Sequence, residues 1–364
     1  MGKFPVVFLQ YIQSIKEIEE LIAVVVLSKG DAMRHCAVCI SLFLASMLFT
    51  NLIPLAAQDP VIIYPVPVDS LFPEPLADQR FPRFALSFPA MLSHAIDTRE
   101  TDAYGGIREA LEFGGVKSLV RLSPGSDDAL GVELALGAGI FTLFDAFEDD
   151  LDNFGWEGSG FLALQYRPTY RFAAKFGLHH LSSHVGDEYL ANYGVIDTPI
   201  ADDSELADGG TYGFFYVRDS LMLGLSYQLS SLVRVYGEAR YSMRMFEYMY
   251  RYNDFPWQAG GGLEVVFKPR GVTSGLAHRK GWGSWYVAAD VSMYQESSWF
   301  PSTTVQLGYV MNSPSHGDRF RIGLEYYYGR APLAVFNHTD GTEPTPWASI
   351  LLEQYLGVGI WYDL

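Results

Sequence analysis

Ser220-Leu221-Met222-Leu223-Gly224-Leu225-Ser226-Tyr227-Gln228-Leu229 alternates without a break. Leu221, Leu223, Leu225, Tyr227 and Leu229 form one set; Ser220, Met222, Gly224, Ser226 and Gln228 form the other. A helix would scatter these side chains around a cylinder, whereas a strand sends successive residues to opposite faces. The next segment repeats the pattern and adds charge. Val233, Val235, Gly237, Ala239 and Tyr241 share one face, and Arg234, Tyr236, Glu238, Arg240 and Ser242 share the other. Upstream, Val132, Leu134, Leu136, Ala138 and Ile140 alternate with Glu133, Ala135, Gly137 and Gly139.

About twelve segments of this kind run along the chain. They begin near Arg83, Ala110, Gly131, Gly158, Tyr170, Arg218, Leu232, Trp257, Trp285, Ser302, Arg319 and Ser349. An even number of alternating strands is the signature of a bacterial outer-membrane barrel. Short joins such as Arg167-Pro168-Thr169, Ser230-Ser231 and Asn312 to Asp318 alternate with long ones, Asp145 to Gly158, Val185 to Tyr212, Met245 to Pro256 and Gly329 to Trp347. Lys268 to Gly283 is long for its place in that rhythm.

A soluble β-sandwich is the competing fold. It would put apolar residues inside and charges outside. Here one face carries Glu133, Arg171, Lys175, Arg234, Glu238, Arg240, Glu264, Asp290, Arg321 and Glu325, while the opposite face is apolar. That inversion fits lipid outside and a polar lumen inside, and both charge signs together imply a salt-bridged, partly plugged lumen. Lipid offers no hydrogen bonds, so the sheet must close on itself. The reading is therefore an all-β transmembrane antiparallel barrel of about 12 strands. Charge on its two faces should differ in effect, with Leu223→Arg harmful to assembly and Ser226→Arg milder.

Composition agrees. Of 364 residues, 49% are hydrophobic, 15% aromatic and 18% charged, which excludes disorder. Lys and Arg number 25 against 42 Asp and Glu, a net charge of −17. Nucleic acid rewards clustered positive charge, so it is not expected as a partner. The 23 Tyr, 24 Phe, 7 Trp and 35 Gly suit interface girdles and crowded strands. Tyr248, Tyr250, Tyr252, Phe255, Trp257, Trp282, Trp285, Trp299, Phe300 and Tyr326 to Tyr328 are assigned to those girdles rather than to a sugar platform.

The N-terminus reads as an export signal. Met33-Arg34-His35 precedes an apolar run from Cys36 to Leu55, with Leu55-Ala56-Ala57 at a cleavage position. Residues 1–57 are thus a signal peptide region, with Met33 as an alternative start. Cleavage leaves a chain without cysteine, since Cys36 and Cys39 are the only two. Disulfides and thiolate metal sites are then excluded. Residues 58–82 are proline-rich and read as a periplasmic lead-in, and residues 83–364 as the barrel. The C-terminus alternates Leu356, Val358, Ile360, Tyr362 and Leu364 against Gly357, Gly359, Trp361 and Asp363. Such a final strand is what barrel-assembly machinery reads, although it ends on Leu rather than an aromatic. The expected place is the bacterial outer membrane, with outer-membrane lipid and lipopolysaccharide as partners and no cofactor.

Chemistry concentrates in Leu178-His179-His180-Leu181-Ser182-Ser183-His184-Val185-Gly186-Asp187-Glu188-Tyr189-Leu190. Period two continues the apolar face of Phe172, Ala174, Phe176 and Leu178 into His180 and Ser182. Arg171, Lys175, His179 and Ser183 fall on the other face. The run sits at the extracellular rim if the N-terminus is periplasmic. Three readings compete. In the first, Ser183, His184, Asp187 and Glu188 form a structural rim cluster in which carboxylates hold His180 and His184. In the second, His180, His184, Asp187 and Glu188 bind a metal, or Glu148 to Asp152 binds Ca²⁺ through oxygen. In the third, His180 and Ser182 are a base and a nucleophile placed on one face by strand spacing. A third group to orient the histidine is not visible by spacing; Glu188 and Asn192 are candidates.

The phrase His180-Leu181-Ser182-Ser183-His184-Val185-Gly186-Asp187-Glu188-Tyr189-Leu190 resembles the signature of an uncharacterised bacterial family, domain of unknown function twelve-oh-seven. Pro75-Leu76-Ala77-Asp78 before Pro82-Arg83-Phe84, and Gly137 to Asp145, fit it too, with His179 where a large residue such as Tyr is expected. The resemblance covers most of residues 70–364 and implies an outer-membrane protein of no established activity. His180-Leu181-Ser182 separately resembles the His-x-Ser of outer-membrane phospholipase A and the lipid A deacylases. That resemblance implies an outer-leaflet lipid acyl hydrolase as the alternative to a structural or transport-related envelope role.

Overall fold

The computed structural model describes residues 60–93, 106–146, 152–186, 215–247, 250–251, 255–267, 283–312, 318–334 and 352–363. The strands are β1 Val61–Pro65, β2 Phe84–Ser93, β3 Arg108–Pro124, β4 Gly131–Asp145, β5 Asn153–Thr169, β6 Phe172–Val185, β7 Phe215–Gln228, β8 Val233–Glu247, β9 Tyr250–Arg251, β10 Trp257–Val266, β11 Ser284–Tyr294, β12 Pro301–Asn312, β13 Arg319–Arg330 and β14 Leu352–Asp363. A 3-10 turn, Gln295–Ser297, joins β11 to β12. The described residues hold no α-helix.

Twelve strands close into one antiparallel barrel. From β2 through β8, then β10 to β14, each pairs with the next, and β14 returns to β2. Every expected starting point lies within five residues of an observed one, and Gly131, Trp257 and Arg319 coincide. The largest offset is β5, which begins at Asn153 rather than near Gly158. Its first turn of chain, Asn153-Phe154-Gly155-Trp156-Glu157-Gly158, is glycine-rich, and glycine carries no strand pattern. Short β1 lies outside the ring and pairs with β3. The ten residues of β2 match only Ala110–Glu112 of the seventeen-residue β3, plus one bridge at Ile107. β1 uses part of the edge left over: the Val66 N–H donates to Leu119 O at 3.0 Å.

The faces are inverted relative to a soluble protein. Leu136, Leu178, Leu223, Leu263, Leu307, Ile322 and Val358 are exposed on the outside, while Glu133, Lys175, Glu264, Arg321 and Glu325 are buried inside. Aromatic rings mark both ends of the apolar outer surface. Trp285 packs edge-on to Tyr309 at 5.6 Å at the end with short turns, and Trp257 packs on Tyr241 at 5.0 Å at the end with long loops. Tyr327 departs from the girdle assignment: it faces inward and stacks on Tyr355 at 5.2 Å. Arg171 departs from the inward set, because it sits exposed in the turn before β6. Of the other proposed girdle residues, Tyr248, Tyr252 and Trp282 lie outside the described residues.

The lumen is filled. The segment read as a periplasmic lead-in enters the barrel from Pro67 onward, so that Leu71, Phe72, Leu76, Ala77 and Phe81 are buried. Its backbone has no strand partner there, and the inward side chains of the wall supply the missing bonds. Leu71 N–H donates to Glu133 at 2.6 Å and Leu76 N–H to Glu264 at 2.8 Å. Arg321 donates to Leu76 O at 2.9 Å and Arg234 to Glu74 O at 2.6 Å. Arg80 pairs with Glu157 at 2.6 Å, and Arg319 with Glu74 at 2.8 Å. Burial pushes the Glu74 carboxyl up from its ordinary range, and Arg319 opposes it. Burial also works against the Arg80 charge, but Glu157 overcomes it and holds the guanidinium protonated. At the loop end Ala331, Leu333 and Ala334 are buried as well, and the Ala334 N–H donates to Glu157 at 3.0 Å. A cavity of about 60 Å³ among Asp78, Arg80, Lys175, Glu238, Arg240 and Asp290 is room for a few waters.

Candidate functional site

β6 carries the histidine and serine run and splits it by face. His179, Leu181 and Ser183 point into the barrel and are buried. His179 Nε2 lies 3.2 Å from Ser159 Oγ on β5. His180, Ser182 and His184 point outward, on the face continued from Phe172, Ala174, Phe176 and Leu178. Ser183 and His184 therefore do not belong to one cluster. His184 stacks on Trp156 at 4.2 Å and 18°. Asp187, Glu188 and Asn192, and the acidic run Glu148 to Leu151, lie outside the described residues. Among the described residues no three His, Cys, Asp or Glu side chains converge as a metal site would require.

The partner of His180 is Asp219, on the neighbouring strand β7. The two residues stand opposite each other in the ladder, and His180 Nδ1 lies 2.7 Å from Asp219 Oδ1. A carboxylate only accepts, so Nδ1 carries a proton, and in the neutral ring Nε2 then keeps its lone pair. One strand further, Arg244 on β8 stands opposite Asp219, with its Nη1 3.9 Å from Asp219 Oδ2. Half of the His180 and Arg244 side-chain surface is open, at 55% and 50%. Ser182 lies two residues above His180 on the same face. Its Oγ is 3.3 Å from where a Cβ would stand on Gly158 of β5, so glycine there leaves the hydroxyl uncovered.

One rung of the outer face thus reads Ala138, Gly160, His180, Asp219, Arg244 from β4 to β8. The rung lies high on the barrel. From Phe172 to His180 is eight residues, about 26 Å along a strand. With the strand tilt usual in such barrels this is about 20 Å of height, close to the top of an apolar band about 25 Å tall. Asp219 left a trace in the sequence. The outward set Leu221, Leu223, Leu225 extrapolates back to residue 219, where an aspartate on a lipid-facing position is anomalous. Its pairing with His180 was not readable, because a long loop separates the two strands.

A family model described as "Protein of unknown function (DUF1207)" matches residues 10–341. No curated protein matches the sequence. Among solved structures, the chain is similar to the Salmonella typhi outer membrane phospholipase (OMPLA) dimer with bound calcium, at 10% identity and TM-score 0.43, over 86% of this chain and 97% of that one. Outer membrane phospholipase A from Escherichia coli gives 10% identity and TM-score 0.44, over 78% and 93%. The CymD monoaromatic hydrocarbon channel gives 9% identity and TM-score 0.32, over 78% and 88%.

Proposed function

Starting from a chain that belongs to the family described as "Protein of unknown function (DUF1207)", we propose a closed outer-membrane barrel that works at its lipid-facing surface as an acyl ester hydrolase. The carrying observation is the 2.7 Å contact between His180 Nδ1 and Asp219 Oδ1 on the outer face, two residues from Ser182. It supplies the orienting carboxylate that spacing alone did not reveal. Asp219 fixes the tautomer of His180, whose Nε2 can then take the Ser182 proton. Ser182 Oγ turns toward Nε2 and attacks the ester carbonyl carbon. The proton passes to His180, and Asp219 stabilises the imidazolium. Collapse expels the alcohol, which takes the proton from His180, and leaves an acyl group on Ser182. Water, activated in the same way, releases the fatty acid.

The filled lumen speaks against passage of solutes and for a role on the outer surface. In this reading the turn end faces the periplasm, the loop end faces outward, and the final strand β14 is presented to the assembly machinery. Lipopolysaccharide would surround the loop end. The test is purified protein in detergent micelles with phospholipid and with lipid A, scored for fatty acid. Release that disappears in Ser182→Ala and in His180→Ala but persists in Ser183→Ala supports the reading. Absence of release from every ester, or release that survives Ser182→Ala, overturns it and leaves a structural envelope role.

A further inference from the structure

Inside the barrel, apart from the outer row, we infer a site for one alkali cation, held between Asp78 of the filling segment and Asp290 of β11. The acids of the interior are otherwise matched. Glu74, Glu112, Glu133, Glu264, Glu353 and Asp363 each pair with an arginine at 3.7 Å or less. Glu325 has no such partner, but both its oxygens accept hydrogen bonds, from Tyr355 and Gln306. Asp290 has less. It is 8% exposed, and its Oδ2 accepts from Tyr236 at 2.7 Å, while among the described residues nothing donates to its Oδ1. Asp78 also lacks an ion-pair partner among the described residues, and its Oδ1 accepts only the Arg80 N–H at 2.9 Å.

Both carboxylates face the cavity of about 60 Å³. Four carboxylates and three cationic side chains line it. Glu157 takes Arg80, and Glu238 takes both Lys175 and Arg240. The lining is therefore one positive charge short, and the shortage falls at Asp78 and Asp290. An unpaired carboxylate in a protein interior is costly, and one monovalent cation balances it.

Neutral oxygens complete the site. Thr304 stands opposite Asp290 in the β11–β12 ladder, so their Cβ atoms share the inner face about 5 Å apart. Thr304 is 4% exposed, lines the cavity, and its hydroxyl has no partner among the described residues. A buried hydroxyl aimed at a cavity calls for a ligand independently of the acids. Ser292 follows Asp290 by two residues and lines the cavity too. On β10 the residues opposite Asp290 and Ser292 are Gly262 and Gly260, so no β10 side chain fills the space. Tyr236 passes over Gly262 to reach Asp290. Two carboxylates and hydroxyls are too few and too hard for a transition-metal set, and they suit a partly hydrated alkali ion. The cavity has room for that ion with a few waters. Bound there, the ion ties the filling segment to the wall.

The test follows thermal unfolding of the full chain by tryptophan fluorescence in non-ionic detergent. Sodium, potassium and choline chlorides are compared at equal ionic strength, so that screening is constant. The midpoint should lie about 2–5 °C higher in sodium or potassium than in choline, as expected when the ion exceeds its Kd about tenfold. Asp290→Asn and Thr304→Val should each remove most of that difference. In crystals soaked with thallous ion, an anomalous peak should stand beside Asp290 Oδ1. Equal wild-type midpoints in the three salts overturn the assignment, as does a salt difference that survives in both variants. Stability that follows pH and not the salt puts a proton in place of the cation and also overturns it. If neither variant assembles, the wild-type salt comparison and the thallous peak decide, and a peak found only elsewhere counts against the site.

Discussion

Asp219 faces His180 across the β6–β7 ladder, and the His180 Nδ1–H donates to Asp219 Oδ1 at 2.7 Å. Two polar side chains on the lipid side of a barrel are expensive to place, and pairing them reduces that penalty. The pairing also fixes which nitrogen of His180 is free to act as a base. Asp219→Asn keeps the shape but can present an N–H to the ring and favour the wrong tautomer. Fatty acid release should fall by about a thousandfold or more, while the unheated barrel still migrates as a compact species. Activity within a few-fold of wild type would remove Asp219 from the mechanism.

The strands were legible because their pattern is local. Leu221 to Leu229 and Val233 to Ser242 declare two faces without reference to anything else in the chain. The His180–Asp219 pair was only half legible. Period two puts each residue on the outer face, but register between β6 and β7 depends on closure across residues 186–214. The filling of the lumen was legible as mixed charge on the inner face and not as a location for residues 67–83. That segment has no period, and its bonds run to side chains of Glu133, Arg234, Glu264 and Arg321 far along the sequence.

The filled lumen changes what substitutions on the two faces should do. Leu223→Arg places a charge near the middle of the apolar band, at a penalty of roughly 2–4 kcal/mol, and should impair insertion into vesicles. Leu223→Ala should insert normally. Ser226 points inward and is buried, so the mild effect of Ser226→Arg expected from an inner, polar face does not follow. A large side chain there overpacks the interior, typically by about 1–3 kcal/mol. Ser226→Arg should therefore insert but unfold at lower denaturant, a split that a paired insertion assay and urea titration would read. Normal stability of Ser226→Arg would mean that the interior is looser than its contacts imply.

Arg321 is buried and meets both oxygens of Asp363 at 2.9 Å. It also holds Leu76 O at 2.9 Å, so one guanidinium ties the last strand to the segment inside the barrel. Removing one partner of such a pair strands a buried charge, and Arg319, 3.4 Å from Asp363, compensates only in part. Arg321→Met should lose about 3 kcal/mol and lower the temperature at which the compact gel species disappears. The double variant Arg321→Met with Asp363→Leu should recover part of the loss, because no charge is left unpaired. Equal stability of the single variant and wild type would show that the pair contributes nothing.

Residues 67–83 should behave as a fixed filling of the barrel rather than as a free leader. Ser70 Oγ donates to Gln165 Oε1 at 2.7 Å, and Arg80 pairs with Glu157 at 2.6 Å, both on β5. The contact runs through the whole length of the Gln165 side chain, so cysteines at positions 70 and 165 are matched to a short bis-maleimide rather than to a direct disulfide. Ser70→Cys with Gln165→Cys should be cross-linked by that reagent, and the product should run as a distinct band after heating. In planar bilayers wild type and the cross-linked form should both give no conductance steps. A variant lacking residues 67–83 should conduct if it assembles, because the wall it exposes is lined with Glu133, Lys175, Arg234, Glu264 and Arg321. Steady channels from the cross-linked form would mean that ions pass around the segment, and the closed-barrel reading would fall.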